Sequence, residues 1–473
     1  MSRRLGAFLV GGCCVVLTSS AFAQPAAPGK APKGAPSGSA SAAPVAPPAS
    51  ATPLVELPPV VEAAPQTLSL TDALRSFHAR GFDLLLADAQ VRGAEADVQS
   101  AGYVPNPALT LQYGRVIDPK WNDSATGGAS PNSYTIGISD QAALFDTLVG
   151  KRGLRKDVAR AALAATKMTK ADAYRTLDFV VKQSYIALAA AQASLQFSKE
   201  VQTATTKTLA LQTLRYPKVI NEGDLARFET TKLEADQAVD NALQDLQSSR
   251  VALAYLLGDR GAAPPYGVDP NLFKYALPPR LANASLADLE RTAIATRPDV
   301  QAQLKQEERA QASIDLAKRD RVPDITLSAQ YNQIGTGPTA VQPPTVTFGV
   351  TAPIPVFYRN QGEVAHAEAD LYAQSVGRKK IEAQTESDVA TAFAAFSTTR
   401  RLVERMETSL LERSKKARDI TELQYNAGST SLIDFIDAER TFIATNFEYI
   451  QDLAAYWTAI YQLEEAVGTD LRP

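Results

Sequence analysis

Apolar and polar residues alternate with period two in two matching stretches, Val104-Pro105-Asn106-Pro107-Ala108-Leu109-Thr110-Leu111-Gln112-Tyr113 and Val322-Pro323-Asp324-Ile325-Thr326-Leu327-Ser328-Ala329-Gln330-Tyr331. Both open on Val-Pro and close on Gln-Tyr. Leu109, Leu111 and Tyr113 point one way, as do Ile325, Leu327, Ala329 and Tyr331. Thr110, Gln112, Thr326, Ser328 and Gln330 point the other, which is the side-chain arrangement of a strand. A second alternating run follows each copy, at 134–139 and 346–351, with Gly137 and Gly349 in matching places. The pattern predicts two β-hairpins, about 108–139 and about 324–353. A lone hairpin is marginally stable in water and leaves two unpaired edges, so these four strands require partners from elsewhere.

Everything around the hairpins carries helical patterning. Ser69-Leu70-Thr71-Asp72 opens one repeat and Ser285-Leu286-Ala287-Asp288 the other; each serine can cap a helix with an acid in its first turn. These helices continue to Gly102 and to about Arg321, before Pro105 and Pro323 end helical geometry. Between Gly153 and Pro217 there is neither glycine nor proline. About 63 residues at ~1.5 Å each predict a rod of roughly 95 Å. Its counterpart runs from about Glu363 to Asn426, interrupted only by Gly377. Partial heptads at Val403, Met406, Leu410, Ala417 and Ile420, with Arg413 off the pattern, predict side-by-side packing, and the alanine-rich stretch 186–191 lets backbones approach closely. The turns Asn221-Glu222-Gly223-Asp224 and Asn426-Ala427-Gly428-Ser429 reverse each rod into a return helix ending at Leu257-Gly258 or Val467-Gly468. Gly223 and Gly428 are expected to supply left-handed backbone there.

The chain thus divides into a leader (1–23), a Pro/Ala-rich linker (24–66), a first repeat (67–258), a connector (259–283), a second repeat (284–468) and a short tail (469–473). Length alone, 473 residues, suggests several domains, but an internal repeat overrides that expectation. The leader has the anatomy of a secretory signal: Arg3 and Arg4, an apolar core from Leu5 to Leu17, and Ala21-Phe22-Ala23 before the cleavage point. Val10-Gly11-Gly12-Cys13 loosely resembles a lipobox, which leaves lipidation of Cys13 as the alternative to cleavage after Ala23. Cys13 and Cys14 both lie in the leader, so a chain cut after Ala23 holds no thiol, disulfide or thiolate metal site. The linker cannot bury enough apolar surface to offset its ordering entropy and reads as a flexible tether.

Charge narrows the partners. The formal net charge is -3, and loss of Arg3 and Arg4 takes the mature chain to about -5, which argues against nucleic acid. Outside the leader no apolar run reaches the roughly 18 residues a spanning helix needs. His78 and His366 sit on separate helices without ligand spacing. Nucleophile-elbow, zinc-protease and dinucleotide motifs are missing, and Gly150-Lys151-Arg152 lacks the upstream glycine and following hydroxyl of a phosphate loop. No enzyme, cofactor or metal site is expected.

An exported chain with alternating strands suits a membrane barrel, apolar residues facing lipid and polar ones the lumen. Such a barrel must close, because unpaired backbone in lipid has no water to bond. Single-chain barrels begin at about eight strands, so four strands require several copies. Two copies fill their lumen with side chains, whereas three give about twelve strands and leave room for a pore. Loops 117–132 and 335–344 then face outward, and the two helical turns face the inner membrane.

The order helix, hairpin, rod, return helix, repeated twice behind a leader, resembles the TolC family of outer-membrane efflux ducts over nearly all of Leu68 to Gly468. The most specific piece is 425–439, Tyr425-Asn426-Ala427-Gly428 through Asp434, Asp437, Ala438 and Glu439, similar to the family's Tyr-x-x-Gly-x-x-x-x-x-Asp-x-x-Asp-Ala turn. The resemblance implies a mainly α fold with membrane β: a homotrimer in outer-membrane lipid, with a twelve-stranded barrel above an α-helical periplasmic tunnel. It also implies a periplasmic adaptor (membrane fusion protein) and an inner-membrane pump that supplies the energy.

Site residues follow by the same resemblance. Asp434 and Asp437 match the acidic rings at the periplasmic constriction, where three chains contribute six carboxylates that favour cations. On local grounds alone, Ser431 caps the return helix, Asp434 completes a capping box, and both acids lie near the positive end of a helix dipole. Glu229 follows Gly223 by six residues, as Asp434 follows Gly428. It aligns with an acid that, in the family's best-known member, links the closed gate to a tyrosine matching Tyr425; a solvated helix acid is the other reading. Thr430 stands where that member has its gate arginine, so any latch must be built differently. Gly223 and Gly428 mark the tips that meet the adaptor, and Tyr113, Tyr134, Tyr331 and Phe348 the lipid face or aromatic girdles. A coiled-coil adaptor, the alternative class, carries one helical hairpin flanked by β-rich domains.

Overall fold

The computed structural model describes residues 67–117, 132–218, 220–261, 264–269, 273–334 and 343–471. The leader, the linker and most of both long hairpin loops lie outside them.

The first repeat comprises α1 (Leu70–Arg80), α2 (Phe82–Ala101), β1 (Ala108–Arg115), β2 (Asn132–Ser139), a short α3 (Ala143–Val149), the rod α4 (Lys151–Arg215) and the return helix α5 (Glu222–Leu256). A single turn, α6 (Pro279–Ala282), lies in the connector. The second repeat comprises α7 (Leu286–Thr296), α8 (Pro298–Arg319), β3 (Thr326–Ile334), β4 (Thr345–Thr351), α9 (Gln361–Arg405), α10 (Leu411–Asn426) and α11 (Leu432–Val467). Ser69 and Ser285 cap α1 and α7, each accepting a hydrogen bond from the backbone N–H of the acid three residues on, Asp72 or Asp288. The opening helix is broken in both repeats, at Gly81 and at Arg297 before Pro298, where proline excludes helical backbone in the residue preceding it.

The two rods differ. The first is one unbroken helix of 65 residues. The second passes through a π-helical turn at Met406–Leu410 between α9 and α10. Its wider turn rotates the buried face and breaks the heptad expected across it. Val403 and Met406 are buried as that pattern requires, but Leu410 and Ile420 are 40% and 46% exposed and Ala417 is also exposed. Ser414 takes the buried place instead.

The hairpins join through β2 and β3 into one antiparallel sheet in the order β1-β2-β3-β4. Register sorts the side chains by face. One row aligns Leu109, Ile138, Ala329 and Phe348, and the next apolar row aligns Leu111, Ile136, Tyr331 and Val346. The intervening rows, on the opposite face, align Thr110 with Gly137, Gln330 and Thr347, and Gln112 with Thr135, Asn332 and Thr345. The apolar face is bare: Leu111 is 68% and Phe348 81% exposed. Gly137 and Gly349 stand on the polar face because a Cβ there would collide with the side chains of Gln330 and Ser328.

The helical core forms where α4, α9 and α11 meet the short helices, around Val181, Leu188, Val389, Tyr456, Ile460 and Leu463. Burial of such side chains, at about 1.5–3 kcal/mol each, is the main force holding the repeats together. Charged groups cross the same junction. Arg297 donates to both carboxyl oxygens of Asp299 (3.0 and 2.6 Å), to Asp388 (3.1 Å) and to the Ala466 carbonyl (3.2 Å). Lys182 on α4 meets Glu464 on α11 at 2.7 Å. The connector is pinned too, with Tyr456 and Trp457 donating to the carbonyls of Ala276 and Lys274.

Candidate functional site

At the tip of the second hairpin, α10 ends at Asn426 and Gly428 takes left-handed backbone with φ 73°. A side chain is strained in that region, so glycine suits the turn. Ser431 then caps α11. Its Oγ accepts from the Asp434 N–H (3.2 Å) and donates to Asp434 Oδ2 (2.7 Å). Asp434 Oδ2 also accepts from the Ser431 N–H (3.3 Å) and from Thr430 Oγ1 (3.1 Å). The capping box is complete, and Thr430 reinforces it. The Ser431 hydroxyl, then Thr430 and the Ser431 N–H, hold the Asp434 carboxyl below the usual carboxylate range. Asp437, one turn on, is exposed and shares a shallow groove with Arg227 and Arg440.

The first tip is built differently. Gly223 is not left-handed: it lies inside the first turn of α5, which Asn221 caps by accepting from the Asp224 N–H at 2.8 Å. Gly223 comes two residues after its cap, whereas Gly428 comes three residues before Ser431. Aligning the repeats on their glycines therefore misplaces the helix starts. In cap register, Asp224 rather than Glu229 corresponds to Asp434. Glu229 is exposed on α5 and, among the described residues, has neither a hydrogen-bond nor an ion-pair partner.

An aromatic clamp joins the two tips. The Tyr425 ring stacks on Phe435 (centroids 5.4 Å apart, planes 7° apart) and meets Phe228 of α5 at 6.2 Å. Phe228, Leu432 and Phe435 form a small core of their own. Burial, and then the nearby Asp224, push the Tyr425 hydroxyl above its usual range. Arg215 at the end of α4 reaches Asn426 at 3.2 Å. The structure thus brings Tyr425, Phe228 and Asp224 together and leaves Glu229 outside the group. The spacing of Leu432 and Phe435, one helical turn apart beside a capping serine, is the signal that could have located the clamp.

Of the two histidines, His78 holds Asp178 at 2.6 Å and packs edge-on to Tyr174, and His366 is exposed. No described helix is long and apolar enough to cross a membrane.

The outer membrane efflux protein family matches residues 73–259 and 289–469, which together span both repeats. This chain belongs to that family. As an outer membrane efflux protein it is a transport component and not an enzyme. It is 24% identical over 425 residues to the cobalt-zinc-cadmium resistance protein CzcC of Cupriavidus metallidurans, covering 88% of this chain and 93% of that one. It is also 24% identical over 406 residues to the pyoverdine export outer membrane protein OpmQ of Pseudomonas aeruginosa, covering 82% of each. Among solved structures, CusC superposes with a TM-score of 0.71 at 20% identity, covering 85% of this chain and 92% of that one. The open-state MtrE outer membrane channel of Neisseria gonorrhoeae superposes at 0.67 and 19% identity, covering 85% and 89%. The expected mainly helical fold with four strands and an internal repeat is the fold of these channels.

Proposed function

We propose that this outer membrane efflux protein is the exit duct of a tripartite efflux or secretion system. Three copies each supply four strands to a barrel of about twelve, wide enough for a pore, and two helical hairpins to a periplasmic tunnel. The duct conducts passively, and energy and choice of cargo come from an inner-membrane pump joined through a periplasmic adaptor. One observation carries this reading: a sheet with a bare apolar face, a polar face behind it and one unpaired edge on each side, in a chain that is otherwise helical. Such a sheet is stable only when its edges are paired and its apolar face is covered, and lipid around a closed barrel meets both needs.

Within this reading the tips form the periplasmic gate. Asp434 and Asp437 from three chains line the constriction and favour cations. Tyr425 with its clamp holds the two hairpins of a protomer in the closed arrangement, Glu229 is a further acid at the gate, and the turns around Gly223 and Gly428 meet the adaptor. Planar-bilayer recording from the detergent-extracted protein tests the duct. Discrete conductance steps from trimeric material are expected. Monomeric material without steps would overturn the reading.

A further inference from the structure

A cavity of about 270 Å3 opens inside the helical body, between α4 and α5 of the first repeat and α10 and α11 of the second. Its walls are apolar, built from Val201, Phe228, Phe435, Ile443 and Phe447. Three features set it apart from an ordinary packing gap. Ser198, which lines it, is 1% exposed, and its hydroxyl has no hydrogen-bond partner. A buried polar group in that state costs about 1–3 kcal/mol unless a ligand or water satisfies it. Glu422 and Glu439 also line the cavity, and neither accepts a hydrogen bond from any described residue.

The third feature is the balance of charge. Arg440 is committed to Glu234, with its Nη2 at 3.1 Å from both carboxyl oxygens. Arg418 is shared: it meets Asp419 at 2.6 Å and lies over the Phe442 ring at 4.5 Å, and its Nε has no partner. With Arg440 taken by Glu234, the lining carboxylates Glu422 and Glu439 face one guanidinium, Arg418, on which Asp419 already draws. Burial pushes the Glu439 carboxyl up; Arg418 offsets part of this, and the negative charges of Glu422 and Asp419 add to it. The cavity lining holds more carboxylate than guanidinium, Glu234, Glu422 and Glu439 against Arg418 and Arg440.

We propose that this cavity is a binding site for a small organic cation, an ammonium group on an aromatic or aliphatic body, held between the two hairpins. The ammonium donates to the Glu439 and Glu422 carboxylates and to the Ser198 hydroxyl, and the body lies against Phe228, Phe435 and Phe447. Aromatic faces add attraction for such cations. An anion would meet these carboxylates, and a purely apolar guest would leave the buried Ser198 hydroxyl and the partly buried Glu439 without partners. No group of three His, Cys, Asp or Glu side chains among the described residues is set to hold a metal ion. The volume lies near the lower end of ligand pockets, roughly 300 Å3, which limits the guest to a small molecule. Because both repeats supply walls, an occupant resists separation of the hairpins. The inference stands apart from the duct reading and needs only the fold of one chain.

Titration calorimetry on the full chain in detergent tests it with three probes of similar size, 2-phenylethylammonium, 2-phenylethanol and phenylacetate. Expected is saturable binding of the ammonium, one per chain, with the alcohol weaker by at least about tenfold and the carboxylate not bound. Glu439→Gln should weaken the ammonium by at least about tenfold without lowering the melting temperature. Ala238→Leu, which fills the cavity from its α5 wall, should abolish binding of every probe. Equal affinity for ammonium and alcohol, non-saturable heats, or an ammonium affinity untouched by both substitutions would overturn the proposal.

Discussion

The ammonium of Lys151 lies 2.8 Å from Oδ1 of Asp324, joining the first residue of the long rod in one repeat to the strand entry in the other. The lysine side chain is only 5% exposed, and Asp320 stands 3.6 Å from the same nitrogen. Burial and the neighbouring Asp324 push the Asp320 carboxyl up against the pull of Lys151. Lys151→Met leaves two carboxylates side by side without their cation and should destabilise the chain by about 2 kcal/mol. Adding Asp324→Asn should recover part of that loss, read as the coupling in a double-mutant cycle of thermal melts. Strictly additive losses would mean that the pair does not bridge the repeats.

The two faces of the sheet should respond oppositely to charge. Thr347 and Phe348 are neighbours at the centre of β4, the first in a polar row and the second in an apolar row. Phe348→Arg should cost about 2–4 kcal/mol for a residue near the bilayer midplane, whereas Thr347→Arg should cost little. Reversible urea unfolding into lipid vesicles measures both. Equal costs would place the sheet in water.

Asp434 and Asp437 differ in how firmly they are held, since Asp434 is locked by Ser431 and Thr430 while Asp437 is exposed beside Arg227 and Arg440. Replacing both with Ala should lower cation preference and divalent-ion block in single-channel recordings. The Asp437 change alone should carry most of the effect. Reversal potentials identical to those of the unaltered protein would remove both acids from the conduction path.

Glu439 sets a pH dependence whose sign follows from its environment. Its carboxyl is pushed above the ordinary value of 4.5, first by burial, so the folded state holds this proton more tightly than the unfolded chain. Stability from this group is therefore full below 4.5 and falls as pH rises through the elevated value. Glu439→Gln should melt above the unaltered protein at neutral pH, with the two curves converging in acid. A gap that persisted below pH 4 would assign the effect to packing and not to ionisation.

The hairpins and caps were legible because they follow from local rules. Alternation placed the strands, and Ser69, Ser285 and Ser431 announced helix starts by residue type. What escaped notice depended on contacts between distant segments. The π-helical turn at Met406–Leu410 carries no glycine or proline, so the heptad read smoothly across a place where the buried face rotates. Gly223 resembled Gly428 because both follow an Asn near the end of a rod; only the Asn221 cap reveals that one is helical and the other left-handed. The cavity around Glu439 brings together side chains more than two hundred residues apart, from Ser198 to Arg440. No motif spans that distance.

An antiparallel sheet with an even number of strands has outer strands that run in opposite directions, so the β4 border of one copy matches the β1 border of another in the antiparallel sense. That contact is head to tail: each molecule offers one border and consumes the other, and only rotation about a common axis uses up all of them. Assembly therefore tolerates no defective member. In the proposed ring of three, a variant with β4 spoiled and β1 intact would terminate every ring it joined, and each such copy would take up to two sound ones out of service.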